Sequence, residues 1–152
     1  MRFLMAALGS LIVACGAPGA AVPCIVPLPA DSSAAGPCVT ESLATNQTTY
    51  KPGEALAVTV TAVNTTPAPC AGARELACGG PALVIQDASD KVVFTHRPPA
   101  AVCSMMIRLL QPGESMQTRL TLDVSNLAPG GYSLAAAPGL PYQLGRHYFR
   151  VC

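Results

Sequence analysis

Residues 115–132, SMQTRLTLDVSNLAPGGY, decide the fold because they join an alternating segment to a distinctive turn. Apolar and polar residues alternate along the first half, the apolar ones being Leu120, Leu122 and Val124 and the polar ones Arg119, Thr121 and Asp123. Successive side chains of a β-strand point to opposite faces, so a period of two predicts a strand with one buried face. We therefore predict a strand over residues 115–124.

The second half of this stretch has the form Leu-x-Pro-Gly-x-Tyr, carried by Leu127, Pro129, Gly130 and Tyr132. It resembles the tyrosine corner, in which a tyrosine at the start of the sixth strand of a Greek-key sandwich bonds back to the backbone upstream. On that basis residues 115–124 are assigned as the E-type strand, residues 132–136 as F and residues 146–152 as G.

Similar short apolar segments, separated by turn residues, continue towards the N-terminus: residues 39–45, 55–63, 82–86, 92–96 and 103–110. Residues 50–54 and 110–114 each contain Pro-Gly-Glu before a strand. Proline sets φ at the first central turn position and glycine accepts a positive φ at the next, which is typical of a type II turn. This spacing predicts an all-β, Greek-key β-sandwich of about seven to eight strands.

The composition restricts the function classes. The chain has 152 residues, of which 11% are charged and 51% hydrophobic, and a formal net charge of +1. Such a chain offers no basic surface to neutralise a phosphate backbone, so no nucleic-acid partner is expected. Fifteen prolines and 13 glycines disfavour long helices.

The N-terminus has the pattern of an export signal. Residues 3–14 are uncharged and apolar, which is shorter than the roughly 20 residues of a membrane-spanning helix and typical of a signal peptide. The run ends at residues 11–15, LIVAC, which resembles the bacterial lipobox. The resemblance implies a signal peptide over residues 1–14, lipidation at Cys15 and a lipid-anchored protein of the bacterial cell envelope. The alternative is an ordinary secretory signal cleaved near residues 19–21, which gives a secreted protein.

After Cys15 the chain is rich in proline and alanine up to residue 37. Such segments favour extended conformations and have little to pack. We expect residues 15–37 to be the lipidated cysteine and a disordered tether, and residues 38–152 to be the folded domain.

Without Cys15 six cysteines remain, an even number that permits three disulfides in an oxidising compartment. They are Cys24, Cys38, Cys70, Cys78, Cys103 and Cys152. A Cys70–Cys78 bridge and a Cys78–Cys103 bridge are both compatible with the predicted strands. None of the spacings matches a zinc site, and no metal site is predicted.

Five segments resemble bacterial immunoglobulin-like domains of the kind seen in the intracellular proteinase inhibitor family. They are residues 50–54, 58–65, 87–90, 110–115 and 129–132, and they follow the order that such domains show. The resemblance covers about residues 38–152 and implies an immunoglobulin-like sandwich. No functional residue is carried over from it.

The sequence lacks a catalytic constellation. It has two histidines and no Gly-x-Ser-x-Gly, so we expect no enzyme, no catalytic residue and no cofactor. The expected function is a lipid-anchored extracytoplasmic interaction or structural module. Its partners are the membrane, through the N-terminal lipid, and a protein or cell-wall partner.

Two alternatives stay open. One is a secreted proteinase inhibitor whose loop, braced by Cys70 and Cys78, presents Arg74. The other, more remote, is a copper-binding protein drawing on soft and imidazole ligands: His96, Cys103, Met105, Met106, Met116 and His147.

Overall fold

A computed structural model describes Cys24 and residues 27–71, 80–98, 109–139 and 144–152. These parts of the chain contain nine strands and no helix. The strands are β1 (Ala34–Ala35), β2 (Val39–Thr45), β3 (Thr49–Tyr50), β4 (Leu56–Asn64), β5 (Leu83–Asp87), β6 (Val92–His96), β7 (Ser115–Leu122), β8 (Gly130–Ala136) and β9 (His147–Val151). The predicted all-β class is confirmed. Over the same residues, no helix long and apolar enough to cross a membrane is found.

The strands form two sheets, one of four strands in the order β1-β2-β4-β7 and one of five in the order β3-β9-β8-β5-β6. Neighbouring strands are antiparallel except β3 and β9, which are parallel. The predicted strand over residues 103–110 lies outside the described residues except for its last two. Of those two, Leu110 forms an isolated bridge to Cys70.

Alternation along the strands produces one shared core. In β4 the side chains of Leu56, Val58 and Val60 are at most 1% exposed, because every second residue faces the other sheet. Across the gap, Phe149 of β9 is fully buried and stacks on Tyr132 with 5.6 Å between ring centroids. Burying one such side chain contributes about 1.5–3 kcal/mol, so this face holds the two sheets together.

The turn before β8 is closed by a tyrosine. The Tyr132 hydroxyl donates a hydrogen bond of 2.6 Å to the carbonyl oxygen of Ala128, and Leu127 beside it is 8% exposed. The strand begins at Gly130, two residues before the predicted start, because Gly130 already pairs with Val151 of β9.

A disulfide joins Cys38 to Cys70, with their Cα atoms 6.0 Å apart. The bridge of Cys70 to Leu110 brings this cysteine beside the start of β2, where Cys38 lies. A Cys70–Cys78 bridge is therefore ruled out, and with it the predicted brace across the Arg74 loop. Cys78 and Cys103 lie outside the described residues, and their pairing stays a prediction.

Part of the predicted tether is ordered. Residues 27–35 lie along the domain, and β1 at their end pairs with β2. The expectation of a disordered tether is wrong for this stretch. The physical reason is that polar side chains within it satisfy backbone groups at the edge of β9.

Candidate functional site: the N-terminal strap and its buried histidine

Cys24 together with residues 27–35 is called the N-terminal strap below. It runs antiparallel to β9: Cys24 is bonded to Cys152, whereas Asp31 contacts His147 at the other end of the strand. The segment therefore crosses the full length of β9 before it joins β2 of the other sheet as β1.

The strap completes the outer edge of β9. Four amides point away from β8, and each has an acceptor: Arg146 N–H donates to Ser32 Oγ (2.8 Å), Tyr148 N–H to Asp31 Oδ1 (3.0 Å), Arg150 N–H to Thr48 O (3.0 Å) and Cys152 N–H to Tyr50 O (2.8 Å). An open strand edge is a template for pairing with another chain. Here two side chains of the strap and the backbone around β3 cover it.

The disulfide between Cys24 and Cys152 fixes one end of the strap, with the two Cα atoms 6.1 Å apart. Arg150 supports it by donating from Nη1 to the carbonyl oxygen of Cys24 (2.5 Å). The two cysteines are separated by 128 positions in sequence. This bond therefore links the strap directly to the last described residue of the chain.

His147 fixes the other end. Its side chain is 5% exposed; Nδ1 lies 2.6 Å from Asp31 Oδ2 and Nε2 lies 2.6 Å from Thr45 Oγ1. The Thr45 hydroxyl donates its single proton to the carbonyl oxygen of Gln47 (2.6 Å). The ring of His147 thus bridges Asp31 of the strap and Thr45 of β2.

Carboxylate, imidazole and hydroxyl follow one another here in the order of a hydrolase triad. Catalysis also requires a free nucleophile beside a cleft. The Thr45 hydroxyl is bonded to Gln47, and neither Thr45 nor His147 lines the two clefts beside the strap. The arrangement holds three segments of chain together, and its polar groups are occupied in doing so.

Gly145 allows the strap to pass close to the domain. A Cβ atom at this position would overlap the carbonyl group of Ser32 and the Cα of Ser33. The approach also forms a backbone hydrogen bond of 2.9 Å from Ser32 N–H to Arg146 O. A side chain at 145 is therefore incompatible with the seated strap.

Two neighbouring clefts open beside the strap, the first at the Cys152 end of β9 and the second extending towards Arg146 at its other end. The first, of about 290 Å³, is mostly apolar, with walls that include Pro27, Leu28, Pro29, Gly131 and Val151. The second, of about 370 Å³, adds polar groups: Asp87, Asp90, Arg146 and Tyr148. Arg146 and Asp90 form an exposed ion pair at 3.0 Å, and Asp87 accepts hydrogen bonds from Ser89 and from the Lys91 amide.

Two pKa values are shifted near the second cleft. The side chain and backbone of Ser89 donate to Asp87 and lower the pKa of that carboxyl. Burial, and then the negative charge of Asp87, raises the pKa of Tyr132. Both shifts have structural causes: Asp87 stabilises the turn between β5 and β6, and Tyr132 stabilises the turn before β8.

Several predicted site residues lie outside the described parts of the chain: Cys15, Arg74, Cys78, Cys103, Met105 and Met106. The two histidines are described and are not brought together. His147 is on β9 and His96 on β6, with β8 and β5 between them, which corresponds to about 14 Å across the sheet. Both nitrogens of His147 are also hydrogen-bonded. Among the described residues no cluster of metal-binding side chains is found.

Sequence reasoning missed the partnership of Asp31, Thr45 and His147. Thr45 and Asp31 lie 102 and 116 positions before His147 in sequence, so no local pattern connects them to it. One signal was available: Asp31 is the first charged residue after Arg2, in an otherwise uncharged segment rich in proline and alanine.

Comparison with known proteins finds weak structural similarity only. No protein-family model and no curated protein matches the chain. A β-glucosidase of Erythrobacter marinus is similar over 75% of this chain and 15% of its own, with 14% identity and a TM-score of 0.44. The alkylpurine DNA glycosylase of Pseudomonas fluorescens is similar over 78% of this chain and 31% of its own, with 17% identity and a TM-score of 0.42. A β-glucosidase of Listeria innocua is similar over 74% of this chain and 16% of its own, with 16% identity and a TM-score of 0.40. The chain thus corresponds to less than a third of each of these proteins, and similarities this weak assign it no activity.

Proposed function

We propose that this protein is a lipid-anchored, non-enzymatic module of the bacterial cell envelope that acts through its surface on a protein or cell-wall partner. One observation carries the proposal: the Cys24–Cys152 disulfide ties the segment after the lipobox to the end of the domain. Disulfides persist in oxidising compartments, which supports a place outside the cytoplasm. The tie also gives the anchor a fixed point of attachment.

The proposed fold is an immunoglobulin-like Greek-key sandwich. In this assignment β2, β4 and β7 are strands A, B and E, and β9, β8, β5 and β6 are strands G, F, C and C′. Variable-type immunoglobulin domains add C′ to the sheet of G, F and C. The hydrogen bond of Tyr132 to Ala128, at the start of F, supports the assignment.

A non-enzymatic role is favoured by the way the polar groups are used. The imidazole of His147 bonds to Asp31 and Thr45, and the Thr45 hydroxyl bonds to Gln47. The Thr45 hydroxyl donates its proton to Gln47 and not to the imidazole, which is unlike the nucleophile of a hydrolase triad. The module therefore presents strand edges and loops as its means of interaction.

Mass spectrometry of the mature protein from the membrane fraction tests the anchor. We expect an N-terminal Cys15 carrying a diacyl- or triacyl-glyceryl group. The Cys15→Ala variant should lose the lipid and leave the membrane fraction. A free N-terminus near residues 20–22 would refute the anchor and favour the secreted form.

A proteinase inhibitor is the second candidate, because both ends of the Arg74 loop are fixed. Cys70 is bonded to Cys38, and Gly80 and Pro81 at the other end are buried. A loop held at both ends loses less entropy on docking. An inhibition panel of trypsin-like and subtilisin-like enzymes tests this, with Arg74→Ala as the matched control. Absence of inhibition at micromolar concentration would remove the candidate.

A further inference from the structure

The proposed lipid on Cys15 and the observed disulfide at Cys24 together limit how far the domain lies from the membrane. The two cysteines are nine positions apart, and an extended chain spans at most about 3.6 Å per residue. Cys24 therefore lies within about 32 Å of the lipidated residue. Without the disulfide the next side-chain attachment among the described residues is Asp31, 16 positions from Cys15, and the limit rises to about 58 Å.

The attachment point lies at one end of the five-stranded sheet. Cys152 follows β9, and Cys24, Cys152, Gly130 and Ala88 line the same cleft. The opposite end carries the Pro138 turn, which follows β8. This strand has seven residues, so its two ends, Gly130 and Ala136, lie about 20 Å apart. A tether fixed at one end holds that end, on average, nearer to the bilayer than the other.

The surface at this end suits a lipid surface. The strap forms the apolar wall of the first cleft with Pro27, Leu28 and Pro29. The described charges around it balance, with Lys51, Lys91, Arg146 and Arg150 against Glu54, Asp87, Asp90 and Asp123. Burial of apolar side chains in the interface is favourable, and balanced charge adds no net repulsion from anionic headgroups.

From the tether length and this surface, we propose that the Cys152 end of the domain lies against the membrane, with the apolar wall formed by Pro27, Leu28 and Pro29 facing the lipid headgroups. The proposal rests on lipidation of Cys15. Its occupant is the lipid surface itself, and the opposite end of the sheet, with the Pro138 turn, faces away and is free to meet a partner.

Fluorescence quenching on vesicles tests this orientation. The lipidated full-length protein is placed in phosphatidylcholine vesicles that contain a headgroup-labelled quencher lipid. A fluorescent non-natural residue is introduced at position 88, or at position 138 as the matched exposed turn at the other end. We expect strong loss of fluorescence at 88 and little at 138. Equal loss at the two positions, or greater loss at 138, would overturn the proposal.

Two variants test whether the length of the tether sets the orientation of the domain on the membrane. Cys24→Ser with Cys152→Ser should reduce the difference between positions 88 and 138, since the tether lengthens. If that variant does not fold, a twenty-residue Gly-Ser insertion before Val22 lengthens the tether and leaves the disulfide intact. A difference that survives the longer tether would contradict an orientation set by tether length.

The failure of the anchor and the failure of the orientation are distinguishable. If Cys15 carries no native lipid, the protein does not float with the vesicles. A chain to which a dialkyl lipid is coupled chemically at residue 15 then gives the same quenching comparison. Preferential quenching at 88 in that chain supports the orientation, and its absence there overturns the orientation whatever the state of the native protein.

Discussion

His147 shows at the scale of one residue how the N-terminal strap is held. The imidazole is buried, and its two nitrogens contact segments from opposite parts of the chain, Asp31 of the strap and Thr45 of β2. Asp31 also accepts from the Tyr148 amide. One carboxylate thus supports a buried ring and an edge amide at once.

Asp31→Ala should loosen the strap. The change leaves the Nδ1 of His147 and the Tyr148 amide without their acceptor, and an unsatisfied buried group costs about 1–3 kcal/mol. Hydrogen exchange of the Arg146 and Tyr148 amides, with the Cys24–Cys152 bond intact, measures this. Asp31→Asn is the control and should protect these amides better than Asp31→Ala. Equal protection in wild type and Asp31→Ala would contradict the account.

Tyr132→Phe isolates the hydrogen bond to Ala128. Its loss should lower the free energy of unfolding by about 1 kcal/mol. Burial, then the charge of Asp87, raises the pKa of Tyr132. A raised pKa means that the folded state holds the Tyr132 proton more tightly than the unfolded state does. The contribution of the Tyr132 hydroxyl to stability is therefore complete below the ordinary tyrosine pKa of about 10 and is lost as pH rises above it.

Urea unfolding of wild type and Tyr132→Phe between neutral and alkaline pH checks that sign. The wild type should lose more stability than the variant as pH passes 10, so the two curves converge. Curves that remain parallel across this range would show that the hydroxyl gains no protection in the folded protein.

At the scale of elements, β9 shows why the strap forms. The strand has β8 on one side, and its other edge is covered by β3 at one end and by strap side chains at the other. Residues 146–152 were predicted as strand G, but the segments that cover its outer edge were not predicted. Period-two patterns specify which face is buried, whereas the choice of edge partner depends on contacts far apart in sequence.

Gly145→Ala should displace the strap without unfolding the domain. The added Cβ overlaps the Ser32 carbonyl, so the backbone hydrogen bond from Ser32 to Arg146 must break. Limited proteolysis should then cleave within residues 27–35 faster than in wild type, while thermal unfolding of the core changes little. Gly131→Ala, where a Cβ has open space, is the matched control. Unchanged cleavage in Gly145→Ala would show that the strap is not seated against Gly145.

Strands were predicted correctly where buried and exposed residues alternate, and were missed where the strand depends on pairing between distant segments. The strands over residues 39–45 and 92–96 have the predicted bounds, and β4, β5 and β7 differ by one or two residues. β1 and β3 were missed because each has two residues, too few for a period. The Cys38–Cys70 pair was not predicted because it joins loop ends that only the folded register brings together.

At the scale of the whole molecule, two disulfides close loops of very different length. Cys38 and Cys70 are 32 positions apart, and Cys24 and Cys152 are 128 apart. In the chain-entropy description the longer loop constrains the unfolded state more, by about 1 kcal/mol between these two lengths. The Cys24–Cys152 bond thereby closes a covalent loop that runs from the strap to the residue after β9.

Replacing each pair by serine tests this. Cys38→Ser with Cys70→Ser should cost about 3–4 kcal/mol, and Cys24→Ser with Cys152→Ser about 4–5 kcal/mol. Denaturant unfolding of a Cys15→Ala form of the protein, which lacks the lipid and keeps Cys24, measures both losses under the same conditions. A larger loss for the shorter loop would show that local packing around Cys38 and Leu110 outweighs chain entropy.

Non-reducing peptide mapping shows directly whether Cys24 ties the strap to Cys152. Cleavage before aspartate cuts at Asp31, Asp87, Asp90 and Asp123, which separates Cys24 from Cys38 and isolates Cys152 in the last fragment. We expect the fragment ending at residue 30 and the fragment beginning at residue 123 to be linked by a disulfide and to separate on reduction. A fragment ending at residue 30 that is unlinked, or linked to the fragment of residues 31–86 or 90–122, would contradict it.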